Sequence, residues 1–260
     1  MIYSVFTRVY PWFIIDMIKA GIDIGSRTIK LVVVDDHTII AYRIIDTGID
    51  PITNSKNLMA EHKFDKIVAT GYGRYLAQKQ FGFPVVTEIK AYAQGASFLF
   101  PNCRTVIDIG GQDSKIIRVN KGKVEDFEMN DRCAAGTGRF LEVMATTLGF
   151  TIDQFGEQAC EVKKPAVINS MCTVFAESEV VSLISHGENV HNIALGLHQS
   201  IINRILGMIG RIGFEDDVVF AGGVAKNRCM RKLLGKKLKK ELHIPEEPQI
   251  TGALGAALSI

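Results

Sequence analysis

The chain has 260 residues, 47% of them apolar, with 24 glycines spread along its length and no low-complexity tract, which argues against a disordered chain. Thirty basic and 28 acidic side chains leave a net charge of +2, so nothing in the charge balance calls for nucleic acid or a membrane surface as partner. Five cysteines, an odd number without a CxxC pair, do not make a disulfide framework and suit a reducing cytoplasm.

The first twenty residues are apolar but broken by Arg8, Pro11 and Asp16, which leaves no run of about 20 apolar residues to span a bilayer. No small-residue cleavage site follows, so a signal peptide is a poor reading. Met17 is an alternative start, and 1–17 is read as an extension without a function. From Ile18 the pattern becomes strand, glycine turn, strand. KAGIDIG, SRTIKLVVVDD and TIIAYRIID predict an antiparallel β-meander. A helix is expected around Asn54–His62, a strand with a terminal glycine turn in KIVATGYG, and a small-residue helix over Glu88–Ser97.

After Pro101 the order begins again. RTVIDIGGQDSKIIRVNKGKVEDFEMN repeats the strand, glycine turn, strand and hairpin of the opening, and GIDIGSRTIKLVVV aligns by eye with VIDIGGQDSKIIRV. Two facing copies of one βββαβα unit are the simplest reading. Helices are expected over Gly138–Leu148, Thr173–Ser185 and Val190–Ile212. VVFAGGVAKN then predicts a strand with a glycine turn, Arg228–Leu242 a basic helix, and PQITGALGAALSI a small-residue helix able to return to the first unit. The expected organisation is an α/β chain with one subdomain over 18–100, joined by the C-terminal helix 249–260, and a second over 101–248.

The two aspartate-glycine loops have a phosphate-binding logic. A strand delivers Asp23 or Asp108 to its carboxyl end, and the glycines beyond let backbone N–H groups approach phosphate oxygens. The first loop offers Gly25, Ser26, Arg27, Thr28, Ile29 and Lys30; the second offers Gly110, Gly111, Gln112, Asp113 and Ser114. Two such loops would pinch a triphosphate, and the aspartates would hold Mg²⁺ through water. One DxG is as well read as a hairpin turn; the pair at domain spacing, followed by VVFAGGVAKN, is specific.

That ordered set resembles the phosphate-1, phosphate-2 and adenosine motifs of the actin/hexokinase/Hsp70 superfamily, and the resemblance covers nearly all of 18–260. It implies two duplicated ribonuclease H-like domains with ATP or ADP in the cleft between them. Gly222 and Gly223 would approach the adenosine, with Lys226 and Asn227 nearby. Asp108 would orient or activate the attacking water, Gln112 would place the γ-phosphate, and Asp23 would organise Mg²⁺. EIKAYAQGAS and ITGALGAAL look like the two connecting helices. The basic helix, with eight Lys or Arg between 226 and 240, reads as a solvated face rather than a dock for an acidic carrier.

Two cysteines stand out, in NDRCAAGTGRF and NSMCTVFAESEV. Cys133 and Cys172 are each expected close to a helix N-terminus, where the helix dipole favours an anion. A 4Fe–4S cluster wants four thiolates, so a two-fold dimer would supply two per chain. Cys103, Cys160 and Cys229 read as small buried hydrophobes. CAAGTGRFLE and C-x-VFAESEV, behind DIGGQD, closely resemble the activators of 2-hydroxyglutaryl-CoA dehydratase and the ATPase subunits of benzoyl-CoA reductase. The resemblance implies one 4Fe–4S cluster shared across a homodimer by Cys133 and Cys172. It also implies a ferredoxin or flavodoxin donor and electron delivery to a 2-hydroxyacyl-CoA dehydratase or related reductase at the expense of ATP. Glu177 and Glu179 of AESE read as helix-face or dimer-contact groups, and His186, His191 and His198 as solvated or packed side chains. Rival readings are a small-molecule kinase of the type III pantothenate kinase kind, an actin-like ATP switch without redox chemistry, and a structural Cys₄ zinc shared across the dimer.

Overall fold

The computed structural model describes residues 17–170 and 172–260; the extension over 1–16 lies outside them. The chain opens with β1 (Lys19–Ile24), β2 (Thr28–Asp35), β3 (Thr38–Asp46), α1 (Pro51–Ala60), β4 (Lys66–Thr70) and α2 (Arg74–Phe81). These strands form a sheet of order β3-β2-β1-β4, antiparallel except where β4 runs alongside β1. Asp50 caps α1 through Thr53 N–H, with Pro51 in the first turn where its missing N–H costs nothing.

The second unit repeats the plan. It holds β5 (Thr105–Ile109), β6 (Ser114–Asn120), β7 (Lys123–Asn130), β8 (Val218–Ala221) and β9 (Leu242–His243), ordered β7-β6-β5-β8-β9. The second hairpin of each unit, β2–β3 and β6–β7, carries a bulge, between Val33 and Val34 in one and Arg118 and Val119 in the other. Both then close on two residues of positive φ, Asp36–His37 and Lys121–Gly122, the turn geometry that matches strand twist. The expected fold class is therefore the one found, a duplicated actin/hexokinase-like α/β architecture.

Between β7 and β8 lie α4 (Gly138–Thr147), α5 (Ile152–Glu161), α6 (Thr173–Ser185) and α7 (Val190–Ile212), followed after β8 by α8 (Arg228–Leu238). Their apolar faces and the inner face of the second sheet make the largest core, with Phe140, Phe155, Phe220 and Ile205 at its centre. The helix α3 (Glu88–Leu99) follows the first sheet in sequence, yet Tyr92, Ala93 and Ala96 pack on Val106, Ile117 and Val219 of the second. The helix α9 (Thr251–Ala257) makes the reverse trip, seating Ala253 and Leu254 on Val32 and Val34 of the first. The two cross through small residues, as their composition predicts. The expected basic helix is shorter than predicted: Lys239 takes a left-handed φ of 55° and ends α8 before the chain returns as β9. No helix among the described residues is long and apolar enough to cross a membrane.

Candidate nucleotide site and cysteine loops

β1 and β5 each carry one aspartate to the same place. In the hairpin register Asp23 faces Lys30 and Asp108 faces Lys115, and each lysine Nζ lies 3.0 Å from the carboxylate. Each loop then closes with the same backbone bond, Gly25 N–H to Thr28 O at 3.1 Å and Gly110 N–H to Asp113 O at 2.9 Å. The loops meet: a Cβ on Gly111 would lie 2.6 Å from Arg27 Cγ and 3.4 Å from Ser26 Oγ.

A cleft of about 500 Å³ opens beside them. Of the predicted phosphate and adenosine residues, Arg27, Thr28, Lys30, Gly110, Gly111, Gly222, Gly223, Lys226 and Asn227 line it. Gly25, Ser26, Gln112 and Asp113 stand in the loops without lining the cleft, while the Ile29 side chain is turned into the first core, so only its backbone is left for a ligand. Asp23 and Asp108 lie beneath, 3% and 0% exposed.

The floor under Asp108 is crowded with charge. Lys115 is buried and touches three carboxylates, Asp113 at 2.7 Å, Glu88 at 2.9 Å and Asp108 at 3.0 Å. Burial works against its charge, but those carboxylates hold Lys115 well above the ordinary lysine range. Burial pushes Asp108 up despite Lys115, and pushes Glu88 up in the same way. The tyrosine ring of Tyr92 lies 5.4 Å from Lys115 Nζ, and its hydroxyl is raised first by burial and then by the surrounding carboxylates. One oxygen of Asp108, Oδ1, is buried with no partner among the described residues. An acidic floor with a spare carboxylate oxygen fits a hydrated divalent cation.

Several residues that line the cleft were not anticipated: Asp46, Tyr92, Glu142, Gln249, and Ile152, Asp153 and Glu157 of α5. A capping box announces α5, with Thr151 and Gln154 bonding each other's backbone, and that S/T-x-x-E/Q signal was present in the sequence. Beside Gly222 and Gly223, Asn227 caps α8 through Met230 N–H at 3.0 Å. His198 lies buried behind it, its Nδ1 2.7 Å from Ala194 O and its Nε2 3.0 Å from Asn227 Nδ2. With Nδ1 donating to the carbonyl, Nε2 accepts from the Asn227 amide, and burial lowers this histidine to about 4.

Cys172 is the N-cap of α6, and Cys133 precedes a short glycine-containing loop that leads into α4 at its N-cap Thr137, the order expected from the sequence. The first N–H groups of α4 are already used, Gly138 bonding Gly110 O and Arg139 bonding Gly111 O, both at 2.8 Å. That helix end therefore braces the second phosphate loop. The other thiols are packed away: Cys103 is buried, bonded to Thr105 O and pushed up to about 12 by burial, Cys229 is buried and raised, and Cys160 packs against the core. Cys133 is half-buried and Cys172 exposed. Glu179 does not merely sit on a helix face: its carboxylate takes the N–H groups of Asn169 and Ser170 at 2.9 and 2.8 Å, shaping the approach to Cys172. Glu177 meets Thr147 Oγ1 at 3.4 Å.

The chain is 44% identical over 255 residues to the activator of lactoyl-CoA dehydratase of Anaerotignum propionicum, a match covering 93% of this chain and 96% of that one. The (R)-2-hydroxyglutaryl-CoA dehydratase component A of Acidaminococcus fermentans superposes with a TM-score of 0.88 at 40% identity, over 94% of this chain and 97% of that one. The activator of the 2-hydroxyisocaproyl-CoA dehydratase of Clostridium difficile, solved with bound ADPNP, gives 0.84 at 38% identity over 94% of each chain. A family model matches residues 20–259. With the paired aspartate loops, the shared cleft and that match over nearly its whole length, the chain belongs to the BadF/BadG/BcrA/BcrD ATPase family.

Proposed function

We propose that this chain is an ATP-dependent activator that delivers a low-potential electron to a 2-hydroxyacyl-CoA dehydratase or a related reductase. The observation that carries the redox half is the sorting of the thiols: of five cysteines, only Cys133 and Cys172 sit on loops outside the packed core. Two thiolates per chain fit half of a 4Fe–4S cluster, and no group of three or more His, Cys, Asp or Glu among the described residues offers a complete metal site within one chain. A homodimer would complete the set. The helix that Cys172 caps supports a second subunit, since Val174, Phe175 and Val181 on it are 68%, 68% and 52% exposed. The cluster supplies a store for one electron at low potential.

The rest of the chemistry is read from this chain's residues. Backbone N–H groups of the two loops, with Thr28 and Lys30, cradle the phosphates of ATP, and Gly222, Gly223, Lys226 and Asn227 take the adenosine. Asp108 orients the attacking water, Gln112 places the γ-phosphate, and Asp23 with Asp108 organises a hydrated Mg²⁺. The lobes, 18–100 with 249–260 and 101–248, turn about the crossing of α3 and α9. Raising one electron by ~0.3 V costs about 7 kcal/mol, which is why the transfer is coupled to ATP. The donor would be a ferredoxin or flavodoxin, in the cytoplasm.

Cysteine variants test the reading. In protein prepared without oxygen, Cys133→Ala and Cys172→Ala should each abolish iron binding, while Cys103→Ala should keep it. Equal loss in all three variants would refute the assignment of the two loops.

A further inference from the structure

The loop that carries Cys133 is held by two side chains that the nucleotide cleft does not use. Asn130, at the end of β7, donates through Nδ2 to the carbonyls of Cys133 and Ala135 at 2.9 and 3.1 Å. Its Oδ1 accepts from Arg204 of α7 at 3.2 Å. The amide has one workable orientation, because two carbonyls need its NH₂ and a guanidinium needs its oxygen. Gly136 completes the wrap: its φ is +86°, and a Cβ there would lie 2.7 Å from Arg204 Cδ.

Arg204 differs from its peers in charge balance. Arg74, Arg104 and Arg118 also bury an Nε without a bond, but each has a carboxylate at 3.7, 3.5 and 3.4 Å respectively. Arg204 is half-buried and its Nε is unbonded, and none of the ion pairs among the described residues involves it. A partly desolvated cation without a counter-charge is costly. It is what a fold retains beside an anion that arrives later. The nucleotide is not that anion, since Arg204 does not line the cleft; the loop it touches is that of Cys133.

We propose that Arg204 is a positioning residue for the cluster: through Asn130 it fixes the Cys133 loop, and its unpaired charge favours the reduced state. The proposal rests on the cluster reading above. Reduction adds a negative charge, so a nearby fixed cation raises the reduction potential, as hydrogen bonds and net charge around a cluster do.

The test uses the dimer purified without oxygen as wild type, Arg204→Gln, Arg204→Met and Arg204→Lys. Iron per dimer, midpoint potential by EPR-monitored titration, and ADP affinity are measured on each. Arg204→Gln and Arg204→Met should shift the midpoint to more negative values by about 59 mV, a tenfold loss in the one-electron reduction equilibrium. Arg204→Lys should stay nearer the wild type, and ADP affinity should be unchanged throughout. Loss of iron in the neutral variants, with ADP binding intact and iron restored in Arg204→Lys, would also support the proposal. Should Arg204→Met lose its fold, Arg204→Gln, which keeps an N–H for Asn130, decides by the same readouts. Neutral variants with wild-type iron and wild-type potential overturn the role of Arg204 and leave the cluster reading standing. Wild-type protein without iron overturns the cluster reading itself.

Discussion

Asp23 and Asp108 stand at equivalent points of two copies of one unit, each opposite a lysine seven positions on, yet their surroundings differ. In the first copy Lys30 pairs, among the described residues, with Asp23 alone and keeps 12% of its side chain exposed. In the second, Lys115 is sealed in and gathers Asp108, Asp113 and Glu88, with Arg74 of the first unit 3.7 Å from Glu88. A duplicated backbone fixes where the carboxylate sits; the neighbours recruited later decide what it does. The second copy concentrates buried charge under the cleft, which is where charge develops when a phosphate is cleaved.

The largest test of that contrast removes the lysines. Lys115→Met strands the buried Asp108 and the partly buried Asp113 and Glu88, and should cost about 3–5 kcal/mol in urea unfolding. Lys30→Met, at a more open pair, should cost about 2 kcal/mol or less. Equal losses would break the asymmetry.

A second difference is His198, which lies behind Asn227 in the second unit only. Burial holds its folded value at about 4, below the 6.5 of an ordinary histidine, so the unfolded chain takes the proton first as pH falls. Its neutral form therefore contributes stability that is fully present above pH 6.5 and is lost as pH drops towards 4, about 3 kcal/mol in all. His198→Gln should flatten that part of the profile when unfolding is followed at pH 7 and pH 4.5. A variant whose stability falls as steeply as the wild type would remove His198 from the account.

Activity separates the aspartates further. Asp108→Asn should lower ATP turnover about 100-fold, and Asp23→Asn about 10-fold, at unchanged ADP affinity. The reverse order would assign the water-orienting role to the first loop.

The smallest effect sharpens the likeness instead. Gly71 after β4 and Gly222 after β8 hold φ of +90° and +81°, and a Cβ on either would strike the neighbouring aspartate Oδ1. Gly71→Ala and Gly222→Ala should each cost about 2 kcal/mol by thermal unfolding, because the same left-handed turn serves both copies. A clear difference between them would mean that the turns are alike only in outline.

The same contrast explains what could be read from the sequence. The aspartate loops, the hairpins and the long helices follow from local signals: alternating strands, glycine turns and 3.6-residue periodicity. VIDIGGQDSKIIRV declares itself a copy of GIDIGSRTIKLVVV because both halves share turn chemistry. α5 was missed although its capping box is local, because Gly156 interrupts a short apolar pattern; the glycine is there to pack against Asn227. Glu88 reads as an ordinary helix start, and only the fold brings it to Lys115. The loop after Cys133 and the helix from Gly138 are legible in the sequence, but that the first N–H groups of α4 go to the carbonyls of Gly110 and Gly111 is not, since those partners lie on another segment. Arg204 and Glu179 carry no local signal at all, since their partners lie on other segments or a helix turn away.

The central claim is that an ATP cleft of this family serves an electron-carrying centre held between two chains. Iron, acid-labile sulfide and zinc measured on the native dimer purified without oxygen test it most directly. The account predicts about four irons and four sulfides per dimer, with a dithionite-reducible EPR signal. A colourless, iron-free dimer, or one carrying zinc in their place, would contradict it.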